Sequence, residues 1–145
     1  MSKKPPAITY KGRSLGIVIL TVAQLIIGGI HVFFGLLLLA YENLLFIQPS
    51  IIYDFYTIIF SVLTIVLAIL IWNGKKLGWV GTVAVAMFVI VADSLTLLDL
   101  PSIPGIPKFA GFGEITYSVL ILGYLLQVGV RRKYFISSRD EKSKN

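Results

Sequence analysis

The sequence predicts an all-α integral membrane protein, a left-handed bundle of four membrane-spanning helices with both termini cytoplasmic. Three observations carry that expectation. Of the 145 residues, 57% are hydrophobic and 14% charged, with a mean hydropathy of +0.88. Soluble domains carry about 25% charged residues, and a chain this short has too little interior to hide so much apolar surface. Four apolar stretches approach or exceed the roughly 20 residues that cross about 30 Å of hydrocarbon. Finally, the basic residues gather at one end of those stretches.

Residues 1–14 form a basic leader with Lys3, Lys4, Lys11 and Arg13. No small-residue cleavage site follows the first apolar run, which is also too long for a signal peptide. That run, residues 15–40, is the first span and is longer than a bilayer needs, so it tilts or projects. The connection Tyr41–Ser50 carries Leu44-Leu45-Phe46-Ile47 and is expected to lie in the interface. The second span is 51–72. The short Asn73-Gly74-Lys75-Lys76 turn makes it the antiparallel neighbour of the third span, 77–98. Pro101, Pro104 and Pro107 recur every third residue and suggest a stiff, extended connector. The fourth span is 110–130, and residues 131–145 read as a basic, disordered cytoplasmic tail.

Helices are the expected form of every span, because a helix satisfies its own backbone in lipid. The positive-inside rule sets the orientation: with both termini cytoplasmic, every basic residue except Lys108 lies inside. Glu42, Asp54, Asp93, Asp99 and Glu114 fall toward the outside. Trp72 and Trp79, and Tyr41, Tyr53 and Tyr56, fit interfacial aromatic belts.

Polar and small residues recur inside the spans at steps of three and four. The first carries Thr21, Gln24, Gly28, His31 and Gly35; the second Asp54, Thr57, Ser61, Thr64 and Ala68; the third Gly78, Thr82, Ala86, Asp93 and Thr96. The fourth is less regular, with Glu114, Tyr117 and Tyr124 on one side. Such a repeat is the seam of a helix bundle. Gly28, Gly35, Ser61, Gly78, Thr82 and Ala86 are the expected packing positions, since small residues let helices approach in lipid.

Ionisable groups inside a membrane point to function rather than packing. At 1.5 Å per residue, His31 and Asp93 each lie about 24 Å from the basic end of their helices. Asp54 and Glu114 lie about one turn from the outer end of theirs. The four form a candidate proton or cation site, His31 with Asp93 at its floor. Two structural alternatives stand beside this. Asp54 and Glu114 also suit first helical turns, where the macrodipole favours an acid, and His31 with Asp93 also reads as a hydrogen-bonded pair joining two helices.

Composition excludes much else. With no Cys there is no disulfide, thiol nucleophile or Cys-ligated metal, and a single His excludes a multi-histidine metal or haem centre. No phosphate-cradle spacing occurs. The net charge of +6 fits cytoplasmic loop bias rather than nucleic acid. No cofactor, no metal and no catalytic residue is expected. The leader running into "SLGIVILTVAQLIIGGIHVFFGLLLL", the turn "WNGKKLGW" at Trp72–Trp79 and the exit "GVRRKYF" resemble small four-span membrane proteins common in archaea. That resemblance implies the topology and no activity. The expected role is a non-catalytic small subunit or scaffold of a larger complex in the plasma membrane, contacting lipid and other membrane proteins or its own copies. The alternative is a small, dimeric cation or proton-coupled transporter using the outer acidic site.

Overall fold

A computed structural model describes residues 9–10, 13–45 and 51–142. Among them lie two short strands, β1 (Thr9–Tyr10) and β2 (Arg13–Ser14), and five helices: α1 (Leu15–Leu45), α2 (Ile51–Trp72), α3 (Lys76–Leu97), α4 (Lys108–Leu125) and α5 (Val128–Lys142). The strands pair antiparallel, Thr9 with Ser14 and Tyr10 with Arg13. Three helices are long and apolar enough to cross a membrane, and a fourth if α4 and α5 count as one bent span.

The second and third spans fall where the sequence places them. The first does not stop at Ala40: α1 runs on through Tyr41, Glu42 and Asn43 to Leu45. Polarity alone does not end a helix, and this stretch holds no Gly or Pro to do so. Of the expected interfacial loop, residues 46–50 lie outside the described residues.

The expected fourth span, 110–130, is not one helix. It breaks after Leu125, and α4 and α5 meet at 70°. Side chains from elsewhere take up the carbonyls that helix ends leave free. The Trp79 indole N–H donates to Leu125 O at 3.0 Å, and the Tyr134 hydroxyl donates to Ile71 O at 3.2 Å. Arg13 Nε donates to Trp72 O at 2.8 Å, with its guanidinium stacked over the Trp72 ring. Trp79 is therefore buried and bonded, not a membrane anchor. Beyond the bend, residues 131–142 are helical rather than a disordered tail. Val130 and Tyr134, one turn apart, bury against the base of the bundle, while Arg131, Arg132 and Lys133 stay exposed.

Helix ends explain the two connections. Gly74, at φ +70°, follows α2. Lys75 N–H returns to Leu70 O and Gly74 N–H to Ile71 O, both at 2.9 Å. This is the Schellman pattern that glycine favours. After α3 the same pattern forms on Asp99, at φ 56°: Leu100 N–H reaches Leu95 O and Asp99 N–H reaches Thr96 O. The proline segment is not the extended rod that its period of three suggests. It turns at Pro104-Gly105, where Gly105 takes φ 93°, and a Pro-Gly pair is a stronger turn signal than proline spacing. The segment then folds back, with Ile106 buried and Ser102 Oγ donating to Ala92 O at 2.7 Å.

The closest helix packings are α1 on α2, α2 on α3 and α3 on α4. Glycines set the approach. A Cβ on Gly28 would stand 2.7 Å from Ile65 Cγ1 and 3.1 Å from Ser61 O, and one on Gly78 would stand 2.5 Å from Ile71 N. The outward faces are apolar, with Ile19, Ile26, Phe33, Ile59, Val91 and Leu120 exposed. At the end where both terminal segments meet, Ile17, Leu20, Ile71, Trp79, Ile121, Leu125, Val130 and Tyr134 form a tight apolar cluster. That cluster closes one end of the bundle.

Candidate functional site

Above the apolar plug the bundle interior turns polar. The inward stripe of α1 is Thr21, Gln24, Gly28 and Gly35, all buried, with His31 half-buried among them. Asp54, Ser61 and Ala68 do the same on α2, and Gly78, Thr82, Ala86 and Asp93 on α3. The stripe of α4 is Gly111, Glu114, Ser118, Ile121 and Leu125, with Glu114 half-buried. Its Ser118 is a lining residue that the sequence reading did not single out, because the stripe passes from polar to apolar halfway along.

These stripes line a half-open cavity of about 90 Å³ to which α1, α2, α3 and α4 all contribute. Its polar lining is Gln24 and His31 from α1, Tyr56, Thr57, Ser61 and Thr64 from α2, Thr82 from α3, and Glu114, Tyr117 and Ser118 from α4. A water needs about 10–15 Å³ measured this way, so several fit. Measured along α1, the cavity spans from about 13 Å to about 24 Å above Leu15, through the middle of a bilayer-length helix. His31 and Glu114 form its exposed rim, their side chains 39% and 27% exposed.

Several polar atoms of this interior have no hydrogen-bond partner within the described chain. They are Gln24 Oε1, Thr82 Oγ1, Tyr56 Oη and Tyr117 Oη in the lining, and both carboxylate oxygens of Asp93 just beyond it. Gln24 is 2% exposed and Asp93 0%. Buried polar groups are nearly always satisfied, and leaving one bare costs about 1–3 kcal/mol. Together they leave the bundle interior with unmet hydrogen-bonding capacity.

The charged groups come from three helices. His31 Nδ1 lies 2.9 Å from Ile27 O, a contact it makes only as donor. That directs Nε2 to Glu114 Oε1, 3.9 Å away. Asp93 of α3 stands one helical turn from Glu114, at the level of Gly111 on α4. Gly111 packs on Asp93 there: a Cβ at that position would lie 3.5 Å from Asp93 Cβ. His31 thus faces Glu114 and not the expected Asp93, which stands beside the neighbouring turn of α4. Asp54 stands apart. It is buried in the first turn of α2 with Oδ2 unpartnered, and it does not line the cavity.

Aromatic rings border the site. Tyr56 packs on Phe60 at 4.5 Å between centroids, and Phe60 stacks on Phe88 at 5.2 Å. Tyr56 therefore belongs to the cavity wall and not to the membrane belt, whereas Tyr41 is exposed on α1. Lys108 pairs with Asp99 at 2.6 Å on the exposed surface, away from the cavity. Among the described residues, no group of three or more His, Asp or Glu side chains is placed to hold a metal ion. The site sets hydroxyls, one amide and the His31–Glu114 pair among apolar walls that include Ile27, Phe60, Leu67, Val85 and Val89. No protein-family model matches the chain, and no curated protein or solved structure is similar to it.

Proposed function

We propose that the protein resides in the plasma membrane with both termini cytoplasmic and passes protons or small cations through the cavity of its bundle. The role is not enzymatic, it involves no nucleic acid, and the resemblance to small four-span archaeal proteins belongs to the same reading. One observation carries it: a cavity with room for several waters, in which hydroxyls, Gln24, His31 and Glu114 are set among apolar walls, lies inside the bundle together with unpartnered buried oxygens. Intramembrane ionisable residues that face a cavity mark ion pathways. A pure scaffold has no use for unpartnered buried carboxylate oxygens, which packing alone would replace with apolar atoms.

The carboxyls attract a cation, the hydroxyls and the Gln24 amide replace its water, and the apolar plug stops free leakage. Passage therefore requires α1 and α4 to shift against each other, or a second copy of the chain to complete the path. The test is reconstitution into liposomes carrying a pH-sensitive or potassium-sensitive dye. A proton or cation flux above that of empty liposomes is expected, and flux equal to empty liposomes contradicts the reading.

A second reading, subunit of a larger membrane complex, draws support from the loose seam between α1 and α4, which does not belong to the closest helix packings. A partner helix seated there would cover the cavity rim. Stoichiometric co-purification of another membrane protein from native membranes in mild detergent is its signature.

A further inference from the structure

A second cavity, of about 120 Å³, lies at the opposite end of the bundle and has a different chemistry. It is lined by Arg13, Ser14, Trp72, Gly74 and Lys133, over a floor of Ile17 and Ile71. The two cations come from opposite ends of the chain. Arg13 is held by β2 and by its bond to Trp72 O. Lys133 is brought back by the 70° bend between α4 and α5. Lys75, Lys76, Arg131 and Arg132 lie around the same end. Lys76 and Arg131 lie over the Phe135 ring, 4.7 Å and 5.8 Å from its centroid. Among the residues whose side chains are described, the acids Asp54, Asp93, Asp99 and Glu114 all lie toward the other end.

We infer that this cleft binds the phosphate headgroup of an anionic phospholipid. Arg13 presents a planar donor fork suited to phosphate oxygens, and Lys133 adds a mobile charge opposite it. Trp72 and Ser14 also line the cleft, and its apolar side chains suit the glycerol end of the lipid. The bend sets α5 across the bundle axis, so it runs along the membrane surface where headgroups lie. Diffuse attraction to a charged leaflet would treat all the basic residues of α5 alike. The cleft does not, because Lys133 lines it and the neighbouring Arg132 does not.

The inference rests on the membrane placement proposed above but not on ion passage, so an absence of flux leaves it standing. The test uses the full chain in mild detergent, titrated with dioleoyl phosphatidylglycerol, dioleoyl phosphatidylcholine or inorganic phosphate, and read by native mass spectrometry. Saturable phosphatidylglycerol adducts are expected, with phosphatidylcholine and free phosphate much weaker. Lys133→Gln should weaken phosphatidylglycerol binding about fivefold, the contribution of one basic residue at an anionic surface. Arg132→Gln should leave it unchanged. Arg13 also braces Trp72, so Lys133 carries the test without endangering the fold. Equal losses in the two variants would overturn the inference in favour of diffuse charge. Equal binding of phosphatidylcholine, or full competition by inorganic phosphate, would overturn the assignment to an anionic lipid.

Discussion

Asp93→Asn is expected to abolish ion flux in reconstituted liposomes while leaving the protein as stable as before, or more so. Asp93 is fully buried, and neither carboxylate oxygen has a hydrogen-bond partner among the described residues. A group in that position costs stability instead of adding it. Asn keeps the shape and removes the charge. Unfolding of the variant in detergent should therefore move by no more than about 1–2 kcal/mol, in the stabilising direction. Its flux should fall to the level of empty liposomes, because the buried carboxyl beside the cavity is gone. Lost flux with an intact fold separates a functional carboxyl from a structural one. A variant that unfolds, or that carries ions as well as the parent chain, contradicts the role given to Asp93.

Trp79→Ala should be the most destabilising single change in the bundle. Trp79 is buried in the apolar plug, meets Phe135 edge to face at 5.2 Å and donates to Leu125 O at the bend. Truncating a buried Trp costs about 3–5 kcal/mol. Trp79→Phe divides that loss: it keeps a ring in the plug and removes only the N–H, leaving a buried carbonyl bare at about 1–3 kcal/mol. Thermal unfolding in detergent reads both variants. The expected order is parent, then Phe, then Ala, with the Phe variant also loosening α5 in hydrogen exchange. If Phe matched the parent, the indole–Leu125 bond would not be what holds the α4–α5 bend.

The inward stripes of α1, α2 and α3 were legible because Thr, Ser, Gly, Gln and Asp stand out against an apolar background at steps of three and four. The stripe of α4 was not. Below Ser118 it buries Ile121 and Leu125 against the plug, and no residue type separates those from the Leu and Val that face outward. The bend after Leu125 has no proline to announce it. It depends on Trp79 and Tyr134, which reach their carbonyl partners only once the chain is folded. The candidate acids were visible, but their pairing was not. Sequence spacing sets the height of each group along its helix and leaves the rotation of α4 open, and that rotation turns Glu114 toward His31. The proline segment was misread because its spacing was weighed above its Pro-Gly turn. Glu42, another of the expected outer acids, has its side chain outside the described residues.

The chain has no cysteine, so single-cysteine variants can probe the cavity directly. The decisive measurement is the reaction of Ser118→Cys with a membrane-impermeant cationic methanethiosulfonate, added to one face of oriented membrane vesicles and then to the other. Ser118 is buried yet lines the cavity, whereas its neighbour Val119 is exposed on the apolar surface. Ser118→Cys should react from the face opposite the termini and be protected by excess monovalent cation, with Val119→Cys inert in the lipid. A Ser118→Cys that stays unmodified from that face, or that reacts only from the side of the termini, would contradict a water-filled cavity sealed at its basic end.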